Sequence, residues 1–186
     1  PGDDWRKFAN QRALLGYMFT HPGKKLLFMG IDIGQWAEWD YNGSLSWDLL
    51  QYEPHSSLND YVRKLNLLYA GEPSLYELDA ENAGFEWIDF SDADTSIVSF
   101  VRRARDRDDC LVVVCNFTPV PREQYRIGVP RAGFYREVLN SDSEMYGGSN
   151  MGNLGGVHSE QAAWHGRDDS ISVTVPPLSC LVFKPE

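Results

Sequence analysis

Residues 96–117 read SIVSFVRRARDRDDCLVVVCNF, and this stretch decides the fold class. Two short apolar runs, Ser96–Arg103 and Leu111–Phe117, flank the charged turn Arg105-Asp106-Arg107-Asp108-Asp109. That is strand, turn and strand by both composition and turn chemistry. The pattern recurs on either side, at Phe85–Phe90, Tyr125–Val129, Tyr135–Leu139, Ala162–Trp164, Ser170–Val175 and Cys180–Lys184. Ser91-Asp92-Ala93-Asp94, Pro119–Pro121 and Arg131-Ala132-Gly133 supply further turns, while Ile171/Val173/Val175 and Ile97/Phe100 mark core faces. Residues 71–186 therefore read as an all-β sandwich of about eight strands. The glycine-rich run 147–156, GGSNMGNLGG, has no strand-to-helix context and reads as a flexible surface loop, not a phosphate cradle.

Ahead of Gly71-Glu72-Pro73 the periodicity is different. A helix is expected from about Trp5 to Thr20, with Asp3 or Asp4 as N-cap and Trp5, Phe8, Leu15, Met18 and Phe19 facing a core. His21-Pro22-Gly23 ends it. A second helix is expected from about Leu58 to Tyr69, capped by Ser56 or Ser57, with Leu58, Tyr61, Val62, Leu65 and Leu68 on one face.

Between these helices lies Lys24–Trp47, KKLLFMGIDIGQWAEWDYNGSLSW. Leu26-Leu27-Phe28-Met29 has no polar alternation, which suits a strand buried on both faces as in a parallel sheet. It breaks at Gly30 into a loop holding Trp36, Trp39, Trp47, Gln35 and the carboxylates Asp32, Glu38 and Asp40. Functional residues of barrel enzymes sit at the C-terminal ends of such strands. Indoles beside carboxylates and amides suit a sugar ring, which offers apolar faces to stack on and hydroxyls to bind. The plainer alternative puts one or two indoles in the core and leaves the acids solvated. One strand cannot form a sheet, so residues 1–70 read as the closing segment of a larger α/β domain. The β domain is expected to fold without them, because its strands can pair among themselves. Left alone, Leu26–Met29 predicts aggregation or pairing between chains.

A formal net charge of −10 over 186 residues argues against nucleic acid or an anionic membrane as partner. The polar opening Pro1-Gly2-Asp3-Asp4 has no signal-peptide pattern, and no apolar run approaches the ~18 residues of a membrane span. Three cysteines form no metal-ligand spacing. Cys110 and Cys115 fall on opposite faces of one strand, and buried, reduced thiols point to a reducing compartment, hence the cytoplasm. His21 sits in a helix-stop turn, His55, His158 and His165 read as isolated in polar loops, and no zinc site is expected. The basic run Arg102, Arg103, Arg105 and Arg107 reads as a strand edge and turn. No cofactor is implied.

GDDWRKFANQRALLGYMFTHPGKKLLFMG, followed by GQWAEWDYNGSLSWDLL, closely resembles the end of the catalytic barrel of bacterial 1,4-α-glucan (glycogen) branching enzymes. VVVCNFTPVPREQYRIGVPRAGFYREVLNSDSEMYGGS resembles their C-terminal β domain. The resemblance covers essentially the whole chain and implies a member of the α-amylase superfamily, which cuts an α-1,4 glucan and re-attaches the piece through an α-1,6 bond. It implies a mainly β architecture, with the last helix-strand-helix segment of a (β/α)8 barrel at 1–70 ahead of a β-sandwich at 71–186. The superfamily's Gly-x-Glu-x-Gly/Ala motif, which ends barrel strand eight, falls on Gly30 to Gly34. Its acid here is Asp32, one methylene shorter.

Asp32, Gln35, Trp36, Trp39 and Trp47 are then the candidate α-glucan (glycogen or amylose) contacts. The family's catalytic aspartate, glutamate and second aspartate come from strands four, five and seven, whose motifs are not present in this sequence. The expectation is a piece without catalytic or metal-binding residues, inactive alone, whose partner is the N-terminal part of the barrel. The alternative is a free-standing glucan-binding or structural β module, with Trp87 and Trp164 as further stacking candidates or core residues.

Overall fold

The computed structural model describes residues 2–186; Pro1 lies outside them. Eight strands form: β1 (Phe85–Asp89), β2 (Ile97–Arg103), β3 (Cys110–Asn116), β4 (Arg122–Val129), β5 (Phe134–Asn140), β6 (Gly156–His158), β7 (Asp169–Val175) and β8 (Ser179–Pro185). They divide unequally, into a six-stranded sheet ordered β1-β2-β3-β8-β5-β6 and a two-stranded sheet β4-β7, with every pair antiparallel. Two α-helices precede them, α1 (Asp4–Thr20) and α2 (Glu53–Gly71). Asp3 caps α1 by accepting the Arg6 N–H at 2.9 Å, relieving one orphan donor of the first turn.

The large sheet is the middle of three layers. The pleat alternates β3 residues between its faces. Val113 and Cys115 join Phe100, Leu139, Cys180 and Val182 under the helices, packed on Phe8, Leu15, Phe19, Leu58, Tyr61 and Leu65. Val112, Val114 and Cys110 face the other way and pack with Ile127, Val129, Ile171 and Val173 of the small sheet. All seven residues of β3 are buried as a result. Cys110 and Cys115 lie on opposite faces as expected, and all three cysteines are free and buried. α1 lies close to β8 because Gly16 has no side chain: a Cβ there would stand 2.6 Å from both the Cys180 Cβ and the Tyr61 Oη.

Several expectations are corrected. Leu26–Met29 forms no strand, because among the described residues nothing lies beside it to complete a ladder; it runs as irregular coil into a turn at Met29 (φ 38°), with Leu26 and Phe28 exposed. Ala162–Trp164 is not a strand either; Trp164 makes only an isolated bridge to Arg167. α2 starts earlier than Leu58, and neither Ser56 nor Ser57 caps it. Pro54 occupies its first turn, where a missing N–H costs nothing. The 147–156 run is tied down, not flexible. Buried Asp142 accepts the Ser149 N–H at 3.0 Å, the Ser149 hydroxyl at 2.6 Å and the Met151 N–H at 3.2 Å. Asn153 reaches across to the Thr174 carbonyl at 3.1 Å, and β6 emerges from the run's end.

Arg102 is the largest correction to the reading of the basic run. It is completely buried and joins three segments. Its guanidinium donates to the carbonyls of Thr20 (2.6 Å), Leu75 (3.0 Å) and Gly84 (3.2 Å) and pairs with Asp79 at 2.9 Å. Beside it, burial lowers the Lys25 ammonium to about 8 against the opposing attraction of Asp79. The helix-side face of the sheet shares one core with residues before Gly71: α1 and α2 pack on it, together with Leu75 and Tyr146. Among the described residues no helix is long and apolar enough to cross a membrane.

One pH effect follows from the small sheet. His165 packs between Gly128 and Asp89, with Nε2 3.6 Å from the Asp89 carboxylate. Burial lowers its pKa, aided by Arg167, and this outweighs Asp89 and Asp92, which raise it. The unfolded chain therefore binds the proton more readily. The contribution of His165 is fully present above its unfolded pKa and is lost as pH falls through ~6.5 toward the lower folded value. Thermal melts should show His165→Gln with a shallower loss of Tm between pH 7 and 5 than the parent; parallel curves would contradict this.

Candidate functional site

Gly30 to Gly34 form a single 3-10 turn, Ile31–Ile33, bracketed by two left-handed glycines at φ 85° and 64°. A Cβ on Gly34 would lie 2.9 Å from the Phe8 ring, so backbone conformation and space both demand glycine there. Both helices grip the turn. Gln11 of α1 donates to the Ile31 carbonyl at 3.2 Å, and His55 of α2 donates from Nδ1 to the Ile33 carbonyl at 2.7 Å. Ile33 is fully buried as the plug between them. Asp32 stands on this turn, half-buried, and its carboxylate makes no hydrogen bond among the described residues.

The loop that follows is organised by Gln35. Its Oε1 accepts the Ser46 N–H at 2.9 Å, drawing the two ends of the aromatic loop together so that Trp36 and Trp47 flank one clamp. Trp36 packs edge-on against Phe8 (5.7 Å) and His55 (5.8 Å), with the Lys7 ammonium 5.1 Å from its ring centroid. Trp39 belongs to a second cluster, with Phe28 at 5.8 Å and Tyr41 at 6.3 Å. Trp47 makes no ring contact among the described residues. The three indoles are 53%, 55% and 53% exposed, so each keeps about half its surface free for a ligand. A shallow cavity of ≈ 170 Å³ opens beside Trp36, walled by Lys7, Gln11 and Gln35.

Of the five candidate residues, Gln35 and Trp36 line the same cavity, Trp39 lies in a separate aromatic group with Phe28 and Tyr41, Trp47 adjoins the Gln35–Ser46 clamp, and Asp32 stands on the preceding turn. Glu38 and Asp40 are exposed on the same loop, and Asp40 is engaged in its own turn by accepting the Asn42 N–H at 2.9 Å. No cluster of histidine, cysteine and acid able to hold a metal occurs among the described residues. Apart from Gln35, the residues that hold the site, Gln11 and His55, are not among the candidates the sequence singles out. His55, expected in a polar loop, is instead buried on α2, one turn before Leu58. Pro54 is the available signal, since a proline in the first turn carries the helix back far enough to include it.

An α-amylase C-terminal all-beta domain model matches residues 87–186. The chain belongs to that family. It is 61% identical over 184 residues to the 1,4-alpha-glucan branching enzyme GlgB of Synechococcus elongatus, covering 99% of this chain and 24% of that protein. It is 52% identical over 186 residues to the branching enzyme GlgB of Aquifex aeolicus, covering 100% of this chain and 30% of that protein. The chain thus spans 24–30% of the length of these relatives. The fold also matches the crystal structures of Ttha1563 from Thermus thermophilus (TM-score 0.65, 19% identity, 96% of this chain and 31% of that one) and of the alpha-amylase from H.orenii (TM-score 0.61, 19% identity, 96% and 36%). The matched region takes in the end of β1 and the whole of β2 to β8.

Proposed function

We propose that this chain is the C-terminal portion of a 1,4-α-glucan branching enzyme, which cuts an α-1,4 glucan and rejoins the piece as an α-1,6 branch. The observation that carries the reading is 61% identity sustained over 184 residues, across helices and sheets alike. Within the longer enzyme, Asp32, Gln35, Trp36, Trp39 and Trp47 border the glucan path, the indoles stacking on pyranose faces. Residues 1–70 serve as the closing segment of the catalytic barrel, and 71–186 as the β domain behind it.

The reacting groups belong to the remainder of the enzyme. A retaining transfer needs two carboxyls about 5–5.5 Å apart, one attacking and one protonating the leaving oxygen. Glu38 and Asp40 lie on an exposed loop, and nothing packs either against a second carboxyl in that role. The same remainder is the partner that covers Leu26, Phe28 and Tyr41, which are 73%, 55% and 78% exposed. Free, buried cysteines support the reducing cytoplasm as the compartment.

The test uses the full-length protein. Trp36→Ala and Trp39→Ala should each lower kcat/KM on amylose by roughly tenfold, the loss of about 1.4 kcal/mol of stacking, with a smaller effect on short acceptors. Unchanged kinetics on long glucans for both variants would remove the aromatic loop from the site.

A further inference from the structure

His55 is 5% exposed and meets the aromatic loop in two places. Its Nδ1 lies 2.7 Å from the Ile33 carbonyl, which can only accept, so that nitrogen carries the proton. Its ring packs against Phe8 at 4.9 Å and Trp36 at 5.8 Å, while Phe8 and Trp36 are 5.7 Å apart. All three pairs cross at 84–89°, so the rings close an edge-to-face triangle with the Trp36 indole as its exposed corner.

The carbonyl contact reaches the same indole by another route. The Gln35 N–H closes on the Gly30 carbonyl at 3.0 Å and the Gly34 N–H on the Ile31 carbonyl at 3.4 Å, so residues 30–35 form one knot. Ile33 is buried inside it, and Trp36 is the first residue to leave it. Rotation of the Ile33 peptide would redirect Trp36 and carry Asp32 with it.

His55 is itself held from behind. It lies in the first turn of α2, its N–H donating to the Tyr52 carbonyl at 3.1 Å. Leu58, Tyr61 and Leu65, further along α2, are fully buried on the helix-side face of the large sheet. The sheet thus seats α2, and α2 seats the imidazole. A ring so deeply buried offers a sugar almost no surface of its own.

We propose that His55 is a positioning residue of the branching reaction, holding the Trp36 indole at the angle that stacks on a long glucan. This rests on the proposed role of Trp36 as a glucan contact. His55 touches neither the glucan nor the reacting groups and acts through the indole. A platform fixed before the glucan arrives does not have to be ordered on binding, so the gain appears as affinity.

Steady-state kinetics of the full-length protein on amylose and on a short maltooligosaccharide test this, with Tm as the check on folding. His55→Asn keeps an N–H donor and removes the ring; His55→Phe keeps a ring and removes the donor. Each should raise KM for amylose by roughly fivefold with kcat within about twofold, and change the short substrate less. In a Trp36→Ala background neither should raise KM further, because the two residues act as one unit. A lowered Tm with KM unchanged, loss of folding in both variants, or a KM increase that multiplies with that of Trp36→Ala would make His55 a structural residue only and overturn the proposal. Parent kinetics in Trp36→Ala itself would remove the indole from the glucan path, and this role of His55 with it.

Discussion

Replacing Arg102 by alanine is expected to destabilise the fold by about 3–5 kcal/mol, read as a lowered urea midpoint at unchanged slope. The side chain is completely buried, and its three donor groups serve the end of α1 (Thr20), the connection after α2 (Leu75, Asp79) and the start of β1 (Gly84). Alanine leaves a carboxylate and three carbonyls facing a cavity. Each unsatisfied buried group costs about 1–3 kcal/mol, although Asp79, 20% exposed, recovers part of its loss through water. Arg102→Lys keeps the charge without the planar fork, so it should fall between parent and alanine. A loss below about 1 kcal/mol for Arg102→Ala would show that the junction does not depend on this residue.

Removing residues 1–71 should have a larger effect still. The 72–186 piece keeps all eight strands and their pairing. It also exposes Phe100, Leu111, Val113, Cys115, Leu139, Cys180 and Val182, the sheet face that α1 and α2 cover. Contiguous apolar patches of that kind drive association. Two polar anchors go as well: the Thr20 acceptor of Arg102 and the Arg12 donor to the Ser141 carbonyl, 2.8 Å apart. The expected outcome is an aggregating or dye-binding species without a cooperative thermal transition. A monomer with native near-ultraviolet circular dichroism and a sharp melt would mean that the sheet stabilises itself, as local strand pairing alone suggests.

These two outcomes mark where local pattern informs and where it stops. Ile97–Arg103 and Cys110–Asn116 were legible because alternation and an aspartate-rich turn are local properties. The same holds for Asp169–Val175 and for the Asp3 cap of α1. The division into six strands and two was not legible, since the choice of partner strand depends on distant residues. Leu26–Met29 has the composition of a buried strand, yet composition cannot supply neighbours. Gly156–His158 went unseen because it starts at the last residue of a glycine-rich run whose order comes from Asp142, a buried carboxylate that local pattern cannot distinguish from a solvated one. The site was legible in the same divided way. Its indoles stood out by type and density, whereas Gln11 and His55, which fix the Gly30–Gly34 turn, act through the packing of two helices.

The central claim, that this chain serves as the C-terminal portion of a branching enzyme, is tested most directly by exchange. The matching segment of the Synechococcus elongatus branching enzyme, 61% identical over 184 residues, is replaced by this chain. New α-1,6 linkages formed from amylose are then counted. The prediction is a folded chimera that forms branches at a rate within about tenfold of the parent, a barrier change of no more than ~1.4 kcal/mol. A folded, soluble chimera that forms no α-1,6 linkages would contradict it.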